Sequence, residues 1–308
     1  MKSRRIPTQQ EVNQMLKKGS NWGRWGKDDQ KGALNLITPQ KRIEAAKLVK
    51  SGRLVSLSRD FPTKPRPGNH YPADHWMRKS SLPGRFGSAV DYIGIFYHGG
   101  GATHIDALCH VWDNGVMWNG RDPNKEITYN GATWGSIEAW ADGIATRGVL
   151  LDIPKLRGTF VEIGEPVHGW DLEAAVKAQG VKITPGDALV IHCGREAWQR
   201  AHAETPWGCH ELQGQQPGLH ASCLEFIREC DASMLVWDMI DARPSGYDLL
   251  IPVHGVLFSY GMALVDNALL EPLAQACAEE KRYDFMLAMS PLKVVGATGS
   301  PINPMAIF

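Results

Sequence analysis

Between residues 148 and 237 the chain alternates short apolar runs with helix-like segments, and this alternation constrains the fold more than any other feature. Gly148 to Asp152, Ala188 to His192 and Met234 to Trp237 read as strands. Asp171 to Gln179, followed by Gly180, carries the start and stop signals of a helix, and Ala221 to Glu229 reads as another. Strands alternating with helices predict an α/β architecture whose sheet is covered by helices. Upstream, Val12 to Leu16 and Pro39 to Val49 carry helical signals, while Arg53 to Leu57 and Ile93 to Tyr97 read as strands. The expected organisation is one α/β domain over 51–308 with a central β core flanked by helices, preceded by a helical extension over 1–50.

Several classes are disfavoured. Thirty-three basic residues balance 33 acidic ones, so no electrostatic footprint for nucleic acid or an anionic membrane surface is present. The basic N-terminus leads into polar residues where a signal peptide needs an apolar stretch, and no apolar run reaches membrane-spanning length. Cytoplasm is the expected compartment. The six cysteines, Cys109, Cys193, Cys209, Cys223, Cys230 and Cys277, form no C-x-x-C pair and are expected to be reduced thiols, with Cys109 and Cys193 acting as small buried fillers. Dinucleotide, P-loop and serine-hydrolase signatures are absent.

The chemistry concentrates in the run His98-Gly99-Gly100-Gly101-Ala102-Thr103-His104-Ile105-Asp106-Ala107-Leu108-Cys109-His110. His104 and Asp106 are two residues apart, so on an extended backbone their side chains share one face. An imidazole and a carboxylate so placed suit a divalent ion. A second pair is expected from the C-terminal third. Pro252 and Gly261 bracket a short helix of roughly 10 Å that begins at His254. An apolar strand over Met262 to Val265 then returns on the order of 13 Å and brings Asp266 level with His254. Each of these groups is also common in ordinary structural roles, a lone histidine as a satisfied partly buried residue and an aspartate as a cap.

Residues 61–88 are rich in proline and glycine and read as a long excursion, either a lid or a segment packed on a neighbouring subunit, from which His75 and Trp76 could reach a ligand. Of the 11 tryptophans, Trp112 and Trp118 follow the histidine motif closely, which suggests an aromatic or bulky apolar substrate pocket or, equally, core packing.

Thr103-His104-x-Asp106-x-x-x-His110, the downstream His254 and Asp266, Pro217-Gly218-Leu219 and the tail Pro291-Leu292-Lys293 to Gly299-Ser300-Pro301 together resemble the metal-dependent cyclase and kynurenine formamidase family. The resemblance, over residues 50 to 308, implies a swivelling β/β/α-like fold, a homo-oligomer and a one- or two-ion centre of Zn or Mn. It also implies hydrolysis of a linear or cyclic amide, as for formylkynurenine or isatin. On that basis His98, His104, Asp106, His254 and Asp266 are the expected metal ligands and His110 the general acid/base. The chain departs from the family in having Gly100 four residues before His104, where a histidine belongs, and Asp266 where glutamate is usual. A bulge in the glycine run is expected to let His98 replace the missing ligand. Two other activities fit the same residues: a lyase or cyclase acting on a polyketide-like substrate, and a metal-dependent binding protein without catalysis.

Overall fold

The computed structural model describes residues 4–18, 20–65, 69, 71–204, 207 and 214–308. Cys209 and the thiol state expected of it lie outside the described residues. Thirteen strands occur among the described residues: β1 (Leu54–Ser56), β2 (Asp74–Ser81), β3 (Gly87–Gly94), β4 (His104–Asp106), β5 (Ile127–Thr128), β6 (Gly131–Ala132), β7 (Ile144–Asp152), β8 (Ala188–His192), β9 (Met234–Trp237), β10 (Ala263–Asp266), β11 (Asp284–Met289), β12 (Gly299–Pro301) and β13 (Met305–Ile307). Nine of them form one sheet in the order β1-β13-β11-β7-β8-β9-β10-β4-β12. The run β7-β8-β9-β10 is parallel and every other pairing in the sheet is antiparallel.

The parallel strands carry apolar residues on both faces because both faces are covered. Alternate residues divide between two cores. Leu151, Ile191, Leu235, Trp237 and Leu264 face one side with Leu172, Leu224 and Ile227. Leu150, Val190, Val236, Val265 and Ile105 face the other with Trp118, Trp140 and Leu273. Strand β8 is buried at every position, as a strand roofed on both sides must be. The helix Gln9–Lys18 and the turn after it lie directly on this frame. Val12 and Leu16 of the helix Gln9–Lys18 enter the first core, and the Asn21 N–H donates to the Ser259 carbonyl at 2.9 Å.

Two local expectations are corrected. The helix expected to start on an Asp171 cap runs Gly169–Gln179, because Asp171 reaches back to accept the His168 N–H at 2.8 Å from inside the first turn. The strand expected at Ile93 to Tyr97 lies earlier, over Gly87–Gly94. Strands β2 and β3 form a regular hairpin, paired from Asp74↔Gly94 to Ser81↔Gly87. Its turn is set by Pro83-Gly84, with Gly84 at φ +70°, and by the Leu82 N–H donating to the Phe86 carbonyl at 2.7 Å. Every residue of β2 is exposed, as is all of β3 up to Gly94. Among the described residues no helix is long and apolar enough to cross a membrane.

Candidate metal centre

The site is assembled on the ladder between β4 and β10. The antiparallel register sets Asp266 opposite His104 and Leu264 opposite Asp106, and directly opposed residues project from the same face of a sheet. Ile105 and Val265 point the other way into the second core. The His-x-Asp spacing therefore places its two side chains on one face, as the alternation of a strand requires.

His104 is buried, and its Nδ1 lies 2.9 Å from the Ala102 carbonyl, to which it donates. In the neutral ring this leaves a lone pair on Nε2, which faces Asp106 Oδ1 at 3.4 Å and Asp266 Oδ2 at 4.0 Å. A lone pair turned toward two carboxylates is held comfortably only with a proton or a cation between them. Asp106 is fully buried and neither of its oxygens accepts a hydrogen bond. Burial opposes its ionisation, but His110, His104 and His98 outweigh that and hold the carboxyl below the ordinary range.

His254 sits just before the π-helical turn Val256–Tyr260, so the short element bracketed by Pro252 and Gly261 is present but as a single, wider turn than the α-helix expected. Its Nδ1 bonds Asp241 Oδ2 and its Nε2 lies 3.3 Å from Asp266 Oδ2. Burial lowers the basicity of this imidazole, yet Asp266 and Asp241 together raise it well above normal. The Trp237 indole N–H donates to Asp266 Oδ1, which leaves Oδ2 turned toward the two histidines.

His98 completes the cluster from the loop that leaves the hairpin. Its Nδ1 lies 2.9 Å from Asp106 Oδ1, and its Nε2 contacts Thr298 Oγ1 at 3.0 Å. The ring stacks on His110 with centroids 3.8 Å apart and planes within 5°. Gly299, opposite Asp106 on β12, makes room for it, since a Cβ there would lie 2.9 Å from His98 Cε1 and 2.5 Å from the Ile105 carbonyl oxygen. His110 Nε2 is 3.8 Å from Asp106 Oδ1. Burial pushes the His110 imidazole down to about 4 despite the pull of Asp106.

All six residues expected from sequence thus meet at one end of the sheet. Donor atoms of five of them form two adjoining groups, His98 with Asp106 and His110, and His104 with Asp106 and Asp266, each spanning no more than 4.8 Å, while His254 belongs to neither and joins the cluster through Asp266 Oδ2 at 3.3 Å. Asp106 belongs to both. The set of imidazole nitrogens and carboxylate oxygens, with a buried carboxylate left without hydrogen-bond donors, fits a divalent ion. Sequence reasoning missed Asp241, which fixes His254, and Trp237, which fixes Asp266. Both lie at or just beyond the carboxyl end of β9, where α/β sheets place functional groups, and that positional rule was the available signal. Trp118 is not a pocket residue: it is fully buried in the second core and donates to the Asp29 carbonyl at 3.0 Å. Trp112 stays 45% exposed, and a shallow cleft beside His98 is lined by Pro62, Tyr71, Phe96 and Gly100.

Comparison with known proteins agrees with this architecture. A crystal structure described as a novel cyclase is 32% identical, with 94% of this chain and 99% of that chain covered at a TM-score of 0.80. An isatin hydrolase bound to the product analogue thioisatinate is 18% identical, with coverage of 87% and 98% and a TM-score of 0.57. Isatin hydrolase A from Ralstonia solanacearum is 18% identical, with coverage of 82% and 91% and a TM-score of 0.54. At these lower identities the likeness is one of fold. No curated protein sequence matches the chain. The family model described as "Putative cyclase" matches residues 40–242, and the chain belongs to this cyclase family.

Proposed function

We propose that the protein is a metal-dependent hydrolase that cleaves a C–N amide bond in an arylformamide, cyclic amide or lactam. The observation that carries this reading is Asp106, a buried carboxylate without a hydrogen-bond donor that faces three imidazoles. His98, His104, Asp106, His254 and Asp266 would hold one or two divalent ions, Zn or Mn, with Asp106 shared. When bound, such an ion polarises a carbonyl and acidifies water. The residues do the rest. His254 is held by Asp241, and Asp266 by Trp237, so the donors are oriented before any ligand arrives. His110, neutral above about pH 4 and with its side chain reaching solvent, takes the proton of the attacking water and delivers it to the leaving nitrogen.

The substrate class is supported by Tyr71 and Phe96, whose rings meet edge-to-face beside His98, and by the isatin hydrolases that share the fold. Turnover of an arylformamide and lactam panel should vanish on chelation and return with Zn²⁺ or Mn²⁺. Activity indifferent to chelation would overturn the assignment. One observation favours a second role for His110, since its ring groups with His98 and Asp106 at ligand spacing. If His110→Ala lowers metal stoichiometry, rather than the rate alone, His110 is a ligand.

We further propose that the chain acts in the cytoplasm, where Cys109, Cys193, Cys223 and Cys277 would stay as the thiols they are here, and that it forms a homo-oligomer through the β2–β3 hairpin. An isolated two-stranded hairpin is marginal in water, and this one shows Trp76, Tyr92 and Val90 along one face. Asp74 and Arg78 flank Trp76 on that same face. A two-fold axis crossing at Trp76 would set each Asp74 against the Arg78 of a second copy, which favours self-association over an unrelated partner.

A further inference from the structure

The displaced histidine needs an explanation that the glycine run alone does not give. On an extended strand a residue six positions before His104 would stand about 20 Å away. The His98 and His104 rings are 5.2 Å apart. The chain therefore doubles back between them, beginning at Gly99, whose φ of +136° only glycine adopts readily. Glycines permit such a path but do not select it, because their freedom allows many others.

We infer that Arg195 and Asn267 form a clamp that selects this path and so delivers His98 to the metal centre. Asn267 follows the ligand Asp266, is fully buried, and has φ +56°. Its Nδ2 donates to the Gly99 carbonyl and, at 3.1 Å, to the Ala102 carbonyl. Arg195 is also buried; its Nη2 donates to the Gly100 carbonyl at 2.6 Å and its Nη1 to Asn267 Oδ1 at 2.6 Å. Three carbonyls of the doubled-back run are thus held by two side chains that also hold each other. Arg195 is itself fixed, since its backbone N–H donates to Asp238 Oδ2 at 3.0 Å and its guanidinium lies over the Trp207 ring at 4.5 Å. The Asn267 carbonyl accepts from Thr103 Oγ1 at 2.8 Å and from Arg59 Nε at 2.9 Å, which ties the His104 end of the loop to the residue after Asp266 and holds that residue from a second side. Buried carbonyls without donors are costly, so the run has strong reason to stay where these donors are. Arg195 and Asn267 are positioning residues that act through His98, and the inference rests on His98 belonging to the proposed centre.

Asn267→Gly tests it, because glycine keeps the left-handed backbone and removes the side-chain amide, both its Nδ2 donor and the Oδ1 that accepts from Arg195. Titration of the purified chain with Zn²⁺ should show one class of site weakened about 10–100-fold, the effect typical of losing a residue that orients a ligand. In a His98→Ala background the same change should add nothing. A crystal structure of metal-free Asn267→Gly should show the His98 ring withdrawn from Asp106 and His110. Unchanged Zn²⁺ binding by Asn267→Gly, additive losses in the double variant, or a His98 ring still stacked on His110 would each overturn the clamp. If the wild-type chain binds no Zn²⁺, the metal reading fails, and the ring position in the metal-free variant still decides the clamp. Should Asn267→Gly not fold, Arg195→Met is read by the same titration and structure, with Arg195→Lys expected to restore part of the affinity.

Discussion

Strand β4 and the β2–β3 hairpin are built from the same period-two geometry and come to opposite ends. β4 has three residues, all buried, paired on both edges, and it carries two of the six expected site groups. The hairpin has eight residues in each strand, lies almost wholly in solvent, and brings no side chain to the candidate metal centre. Alternation decides which side chains face together. What each face then meets decides whether the result is a site or a surface, and that depends on strands distant in sequence.

The contrast can be broken most sharply at Asp106. Asp106→Asn removes the one carboxylate common to both donor groups, and calorimetric titration should show divalent-ion binding lost altogether, a larger effect than the ~10–100-fold of an orienting residue. Retained divalent-ion binding would mean that the Asp106 carboxylate holds no metal. His110→Ala comes next. It should cut turnover by roughly 10²–10⁴-fold with metal content unchanged, measured by steady-state kinetics beside elemental analysis.

On the hairpin side, replacing Trp76 and Tyr92 together by serine should weaken self-association by about 30-fold or more, the effect of losing interface anchors worth ~2 kcal/mol. Analytical ultracentrifugation over a concentration series reads this directly. A wild-type chain that sediments as a monomer would remove the role given to the arm. The smallest change is Gly299→Ala. The added methyl would press on His98 and on the Ile105 carbonyl, costing about 1–3 kcal/mol of stability in chemical denaturation and weakening the ion that uses His98. An alanine variant with unaltered stability would show that β12 has slack the structure does not suggest.

Much of this was legible before any coordinates. The apolar runs at β7, β8 and β9 announced strands of a helix-covered sheet; that they are parallel and roofed on both faces came from the structure. His104 and Asp106 could be paired by spacing alone, and the Pro252 to Gly261 bracket placed His254 and Asp266 at one end of the sheet. The hairpin escaped because its alternation is not one of apolar against polar: His75, Met77 and Lys79 share one face of β2, and Trp76 and Arg78 the other. The Pro83-Gly84 turn was the available signal, diluted among neighbouring prolines. Asp241 and Trp237 escaped for a different reason. Their roles are set by which strands become neighbours, β9 beside β10, and no local pattern encodes that adjacency.

The register of β4 against β10 has a consequence for folding. A slip of one residue would send Asp266 into the opposite core and bring Val265 to face the histidines, so the donor set exists in one pairing of the two strands and in no other. An ion that binds the assembled set adds its binding free energy to that pairing alone, by mass action, and withholds it from every misregistered form. Divalent metal would then act as a proofreader of strand alignment as well as a reagent, and the unfolding temperature should climb with its free concentration.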